Sequence, residues 1–439
     1  MRKTSSLLFG ALLAAMTPAI QAQDSYTANF RDSTLRVDCV FGGSAGNANI
    51  MVHSRSKTPG WAGRRHNLDR TPLAGNGTIM VVDPATADTI YRQSFSSLFQ
   101  EWLATPEAQQ TARSFENTFL VPLPAREADI VVSLRDNRNR EIARTVNRYL
   151  PGDELVSTPK GSPLPHRYIY RGSSPNPIDV AILAEGYTTQ EMDTFLQDAR
   201  RIVDEILSYE PFKSERENFN FVAVMSPSAE SGVSVPLEGI WKDTGFGSHY
   251  STFHSARYLT APKVWTMHDA LQGVPYEHIM ILVNTERYGG GGIYNSYHIS
   301  AAHNKLTLPV AVHEFGHSFG GLADEYFYID EQDGTYADGI EPWEQNITTL
   351  VDFDSKWKDL VDPSTPIPTP WDMDGDSREA SIDKKSAAND VIGAYEGGGY
   401  RAKGVYRPMI TCRMRDNFNP TFCPVCERSL RALIEFYTH

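Results

Sequence analysis

The stretch His313-Glu314-Phe315-Gly316-His317 (HEFGH) decides how this chain is read. It follows Thr307–Val312, which predicts a helix start that tolerates Pro309 in its first turn. Residues four apart share one helix face, so the two imidazoles can reach a single tetrahedral zinc through their ring nitrogens. Glu314, next to the first histidine, can reach a water bound to that ion. The expected roles are His313 and His317 as zinc ligands and Glu314 as the general base that later passes its proton to the leaving amine. One zinc ion (Zn2+) per chain is expected.

The third ligand must come from downstream, where the chain runs Ser318-Phe319-Gly320-Gly321-Leu322-Ala323-Asp324-Glu325-Tyr326. Gly320 stands three residues after His317, where metzincins turn sharply out of the helix. Their usual spacing puts the third ligand at position 323, but Ala323 has no donor atom. Asp324, one residue later, is the preferred candidate, because two histidines and a carboxylate leave a fourth position open for water. Glu325 is the neighbouring alternative, and Glu341 or Glu344 would serve if the ligand came from a later helix. Metzincins also lay a methionine turn beneath the zinc; Met414 is the candidate, with Met409 as the alternative. Tyr400 and Tyr406 are candidate hydrogen-bond donors to the tetrahedral intermediate.

Upstream of the motif, strands alternate with helices. Ile178–Ala184, Phe219–Met225 and Ile279–Val283 read as buried strands, and Tyr297–Ala301 as a further strand at a sheet edge. Thr188 and Glu191 form a capping-box pair opening a helix with Phe195, Ala199, Ile202 and Ile206 on one face. The four glycines Gly289–Gly292 read either as a flexible surface loop or as a mobile rim on a substrate cleft. Residues 151–177, rich in proline, glycine and serine, read as a linker.

Before the linker the pattern is β-rich. Leu35, Val37, Cys39 and Phe41 alternate to give one buried face, and strands are expected at Thr78–Val82, Thr89–Phe95, Phe115–Val121, Ile130–Leu134 and Glu141–Val146, with a helical piece at Ser97–Leu103. Short strands separated by turn signals predict a β-sandwich. At the amino end, Arg2 and Lys3 precede the apolar run Leu7–Met16, and Pro18 comes before a cleavage position after Ala22: a secretory signal peptide, too short for a membrane span. The expected organisation is α+β: signal peptide 1–22, β-sandwich domain 23–150, linker 151–177, and a zincin-type catalytic domain 178–439 built on a mixed sheet plus helices. The chain is therefore expected to be exported, to a periplasmic, cell-surface or extracellular location.

The composition fits this division. With 439 residues, 41% hydrophobic and 22% charged, the chain can bury more than one core and is not disordered. A net charge of −13 argues against a nucleic acid partner or an anionic lipid surface. Four cysteines are too few to staple a chain this long. Cys412, Cys423 and Cys426 cluster, but a second zinc site would need a fourth ligand and none stands nearby in sequence, so export favours a disulfide from Cys412 to Cys423 or Cys426. Cys39 reads as core. Asp372, Asp374 and Asp376 resemble the start of a calcium loop without its far glutamate and read as a solvated loop. Arg287, His298 and His303 carry structural readings only.

The chain resembles the immunoglobulin-A peptidase family of zinc metallopeptidases, whose catalytic domain is metzincin-like. The likeness rests on HEFGHSFGGLADEY at 313–326, YEGGGY at 395–400, YRPMITCRM at 406–414 and FCPVC at 422–426, and before them on Leu35–Asp38 and Trp102 in the β-rich domain. The resemblance implies zinc on His313, His317 and Asp324, catalysis by Glu314, and endopeptidase action on a protein or glycoprotein substrate. It does not imply that the substrate is immunoglobulin A. Two other readings share the residues: a glycan- or glycoprotein-binding protein on a metalloprotease-like scaffold, which would have no need of Glu314, and a zinc amidase or deacylase. The sequence indicates no oligomeric state.

Overall fold

The computed structural model describes residues 25–328, 336–371 and 391–439. Residues 1–22, expected to be a signal peptide, and Asp372, Asp374 and Asp376 lie outside the described residues. The chain is mixed α and β, with seventeen strands in four sheets among the described residues and few long helices.

The amino-terminal part is built from two four-stranded sheets. In one, β1 (Phe30–Ser44) lies between β5 (Arg113–Pro124) and β2 (Asn47–Pro59), with β8 (Val156–Ser157) beyond β2. In the other, β3 (Gly77–Val82) and β6 (Ala128–Arg135) are flanked by β4 (Thr89–Phe95) and β7 (Glu141–Tyr149). The alternating residues Leu35, Val37, Cys39 and Phe41 turn inward and share one core with Ile79, Val81, Ile130, Val132 and Leu134 of the other sheet. The helix Leu98–Leu103, capped by Ser97, adds Phe99 and Trp102 to that core. Strand β2 escapes sequence reading because most of its side chains are exposed or half-buried, so no apolar period marks it.

The second part is centred on a six-stranded sheet in which β10 (Ile178–Glu185) is flanked by β12 (His278–Val283) and β11 (Phe219–Val224), with β14 (Tyr297–Ala301) and then β13 (Gly290–Ile293) beyond β12 and β9 (His166–Arg171) beyond β11. Strands β10, β11, β12 and β14 run parallel, and the two outer strands are antiparallel to their neighbours. A parallel strand covered on both faces is apolar throughout. In β10, Val180 and Ile182 join the core beneath the helices Met192–Ile206, Thr307–Ser318 and Pro424–Thr438, while Ala181 and Leu183 join a second core with Met267 and Leu271 on the opposite face. A small sheet of β15 (Phe327–Tyr328), β17 (Tyr400–Arg407) and β16 (Tyr395–Gly398) completes this part.

Two elements differ from expectation. The stretch 151–177 holds β8 on the sandwich and β9 (His166–Arg171) on the large sheet; both are sheet edges, and the prolines of the stretch fall outside them. The outermost strand on the other side is β13 (Gly290–Ile293), with β14 inside it. Glycines carry no side-chain period, so β13 is invisible in sequence. The two parts are joined by Arg36, which bonds Asp269 and the Trp265 carbonyl, and by Trp265, which stacks on His53 and donates to the Asn117 carbonyl. No helix among the described residues is long and apolar enough to cross a membrane.

Candidate active site

The helix Thr307–Ser318 leaves β14 with Thr307 Oγ1 bonded to the Ala301 carbonyl. Its apolar face places Phe315 against Phe212, Phe221 and Phe319 in the main core, which fixes the roll of the helix. His313 and His317 then project together from another face, their rings nearly perpendicular with centroids 4.7 Å apart.

Beyond Ser318 the chain turns tightly. Gly321 has φ +57°, and its N–H and that of Leu322 donate to the His317 and Gly316 carbonyls. Gly320, the turn glycine expected from sequence, is needed for close approach instead: a Cβ there would lie 2.4 Å from the Gly316 oxygen. The turn delivers two things to the histidines. The Leu322 carbonyl accepts from His317 Nδ1 at 2.6 Å, and Asp324 Oδ1 arrives 2.9 Å from His313 Nε2 and 3.3 Å from His317 Nε2. The Arg413 carbonyl accepts from His313 Nδ1 at 3.0 Å.

With both Nδ1 atoms committed to carbonyls, both Nε2 atoms face one another at 3.0 Å with the carboxylate oxygen beside them. Lone pairs so arranged repel unless a cation, a proton or a metal ion, lies between them. Zinc with bonds of ~2.0–2.1 Å in a tetrahedron holds its donor atoms ~3.3 Å apart, so the trio fits that ion. In the metal-free site, protons do the work. Burial opposes charge on His317, but Asp324 prevails and pushes the imidazole up to about 9. Asp324 is held well below the carboxylate range: burial raises it, and the two histidines overcome that.

Glu314 is half-buried next to this trio; partial burial raises its carboxyl, against the pull of His313 and His317. The backbone of β13 runs directly past it. A Cβ on Gly290 would stand 2.9 Å from Glu314 Oε1, and one on Gly292 would stand 2.4 Å from the Glu314 carbonyl and 2.7 Å from His317 Cβ. The glycine run is thus a strand pressed against the motif helix, with Tyr258 bridging to Gly290 on its outer side.

Tyr400 OH donates to Asp324 Oδ2. Its φ of +66°, rare for a non-glycine residue, follows from the Gly399 and Tyr400 N–H groups bonding the Asp324 and Tyr326 carbonyls. Tyr326 and Tyr328 pack around it, and Arg257 donates to the Tyr328 hydroxyl. Met414 is buried beneath the helix, its sulfur 2.6 Å from where a Cβ on Gly316 would lie.

The other candidates lie elsewhere. Tyr406, on β17, pairs through its backbone with Thr348 and Glu396. Met409 packs at the margin of the main core. Glu341 accepts from the Val351 and Asp352 N–H groups, and Glu344 from Tyr336. Glu325 turns away from the trio to Asn346 and Cys426. All four cysteines are free thiols, so the expected disulfide is not formed. His298 bonds Ser300 inside β14, and His303 bonds Asp198.

Sequence reading missed Glu101, Arg257 and the carbonyls of Leu322 and Arg413. Glu101 comes from the sandwich helix, and its Oε2 accepts from Tyr258. No sequence signal marks a lone carboxylate in a domain without a chemical motif, and a carbonyl has no residue type to recognise.

Among curated proteins none matches the chain. The model of a peptidase family, IgA Peptidase M64, matches residues 169–388 and 374–434, and that of the Peptidase M64 N-terminus matches residues 25–145. These matches span both parts of the structure and include every residue of the trio and its neighbours, so the chain belongs to the IgA peptidase M64 family.

Proposed function

We propose that this chain is an exported zinc endopeptidase acting on protein or glycoprotein substrates through a metzincin-like catalytic domain, with residues 1–22 directing export. One observation carries the reading: donor atoms of His313, His317 and Asp324 converge on a single point beside Glu314. Zinc bound there supplies a Lewis acid that polarises a scissile carbonyl and acidifies a water.

The side chains divide the remaining work. His313 and His317 present Nε2 because their Nδ1 protons are held by the Arg413 and Leu322 carbonyls. Asp324 supplies negative charge, and Tyr400 fixes its orientation. Glu314 takes a proton from the attacking water and returns it to the leaving amine nitrogen. Met414 gives the histidine helix an apolar floor at Gly316. Tyr400 is a positioning residue in this arrangement, since its hydroxyl is occupied by Asp324.

A second reading, glycoprotein binding, has one observation in its favour. A cavity of about 630 Å³ between the two parts is lined by Arg113, His249, Phe253, His254, Trp265 and Tyr297, a polar and aromatic set suited to sugar rings. The test is a peptide-library digest read by mass spectrometry, with and without chelator, for the native chain and Glu314→Gln. Chelator-sensitive cleavage is expected in the native chain. Glu314→Gln should keep its zinc and lose about 10²–10⁴-fold in rate. Cleavage indifferent to both the chelator and the substitution would end the endopeptidase reading.

A further inference from the structure

The trio is not the only place where metal-ligating atoms meet. Cys412, Cys423, Cys426 and Glu325 each bring one donor atom to within 4.8 Å of the other three, and all four residues are at most 3% exposed. Cys426 stands 3.1 Å from Glu325 Oε1, and Cys412 Sγ is 3.7 Å from Cys426 Sγ. From this geometry we infer that the four residues hold a second zinc ion, structural rather than catalytic.

Four observations support the assignment. First, the spacing is that of ligands on one ion. Two thiolates at ~2.3 Å from a tetrahedral zinc are ~3.8 Å apart, whereas a disulfide joins sulfurs at ~2.05 Å. Second, the count is odd. Any disulfide among the three leaves one thiol buried against a carboxylate, while a four-donor site uses every member. Third, Glu325 is fully buried and its Oε2 has no hydrogen-bond partner, a costly condition for a carboxylate that no ion accompanies. Fourth, Cys412 Sγ accepts the N–H groups of Met414 at 3.5 Å and Cys423 at 3.3 Å, the outer support that a metal-bound thiolate receives. Four protein donors leave no open position, which marks a structural ion rather than a reacting one.

The site's location defines its task. Glu325 follows Asp324 directly, and its N–H donates to the Met414 carbonyl at 2.9 Å. Cys412 is one residue before Arg413, whose carbonyl orients His313, and two before Met414 beneath Gly316. Cys423 caps the C-terminal helix, and Cys426 lies in its first turn. An ion here ties three separate segments together directly below the catalytic trio.

The test uses the full chain carrying His313→Ala and His317→Ala, which removes the catalytic ligands, so its outcome is independent of the endopeptidase reading. Elemental analysis should find about one zinc per chain, and X-ray absorption should find sulfur neighbours at ~2.3 Å. Adding Glu325→Gln should weaken zinc retention against a chelator by about 10–100-fold. Should that variant not fold, intact-mass analysis of the denatured native chain after alkylation decides: four alkylated thiols support the site. A zinc-free double variant, zinc with only nitrogen and oxygen neighbours, or a two-dalton deficit from a disulfide would each overturn it.

Discussion

Zinc loading at the proposed catalytic site should depend steeply on pH, because zinc and a proton compete for the same nitrogen. In the metal-free site His317 holds its proton up to about 9, through the adjacent Asp324. Zinc must displace that proton from Nε2, since Nδ1 is committed to the Leu322 carbonyl. Lowering the pH therefore weakens zinc binding. From pH 8 to pH 6 the apparent Kd should rise about 90-fold, against about fourfold for an imidazole titrating at its ordinary value near 6.5. The same elevation predicts the stability of the zinc-free chain. The His317–Asp324 pairing contributes about 3 kcal/mol at most; this is fully present below about pH 6.5 and lost as pH rises through about 9. Competition against a chromogenic chelator of known pH dependence measures the Kd series. Calorimetry in buffers of different ionisation heat counts the proton, about one per zinc at neutral pH. Asp324→Asn should flatten the curve. A change in Kd of fourfold or less over this range in the native chain would refute the coupling.

Three further outcomes follow from the same geometry. Tyr400→Phe removes the donor to Asp324 Oδ2 and should weaken zinc binding about tenfold, measured by the same chelator competition. Asp324→Ala should abolish zinc binding at the trio, read by the same chelator competition; an unchanged affinity there would refute Asp324 as the third ligand. Gly292→Ala drives a methyl into the Glu314 carbonyl and His317 Cβ, and should cost about 1–3 kcal/mol in thermal or denaturant unfolding, with a loss of activity as the strand and helix separate.

The legible parts of this molecule are those whose chemistry is local in sequence. Leu35 to Phe41 announce a buried strand face by alternation, Thr188 and Glu191 announce a helix start, and the HEFGH spacing announces a pair of histidines on one face. Strand β2 was not legible because its neighbours leave most of its side chains to solvent, and β13 because backbone proximity, not side-chain character, selects its glycines. The cysteine cluster was legible only as three quarters of a site. Its remaining donor, Glu325, lies far upstream and reaches Cys426 only through the packing of the C-terminal helix against the turn after His317. Glu101, which the sandwich helix brings to Tyr258, belongs to the same class of long-range placements.

Asp324 and Glu325 are consecutive, yet one carboxylate serves the histidines and the other the cysteines. The length of the chain from His317 to this pair is therefore set by two destinations at once. Deleting or inserting a single residue among Gly320–Ala323 would not simply carry one ligand out of reach. It would offer the wrong neighbour to each cluster: Ala323 or Glu325 to the histidines, Asp324 or Tyr326 to the cysteines. Turns at a protein surface usually absorb such length changes. This one cannot, and any drift in its spacing would have to arrive as a matched change at both addresses.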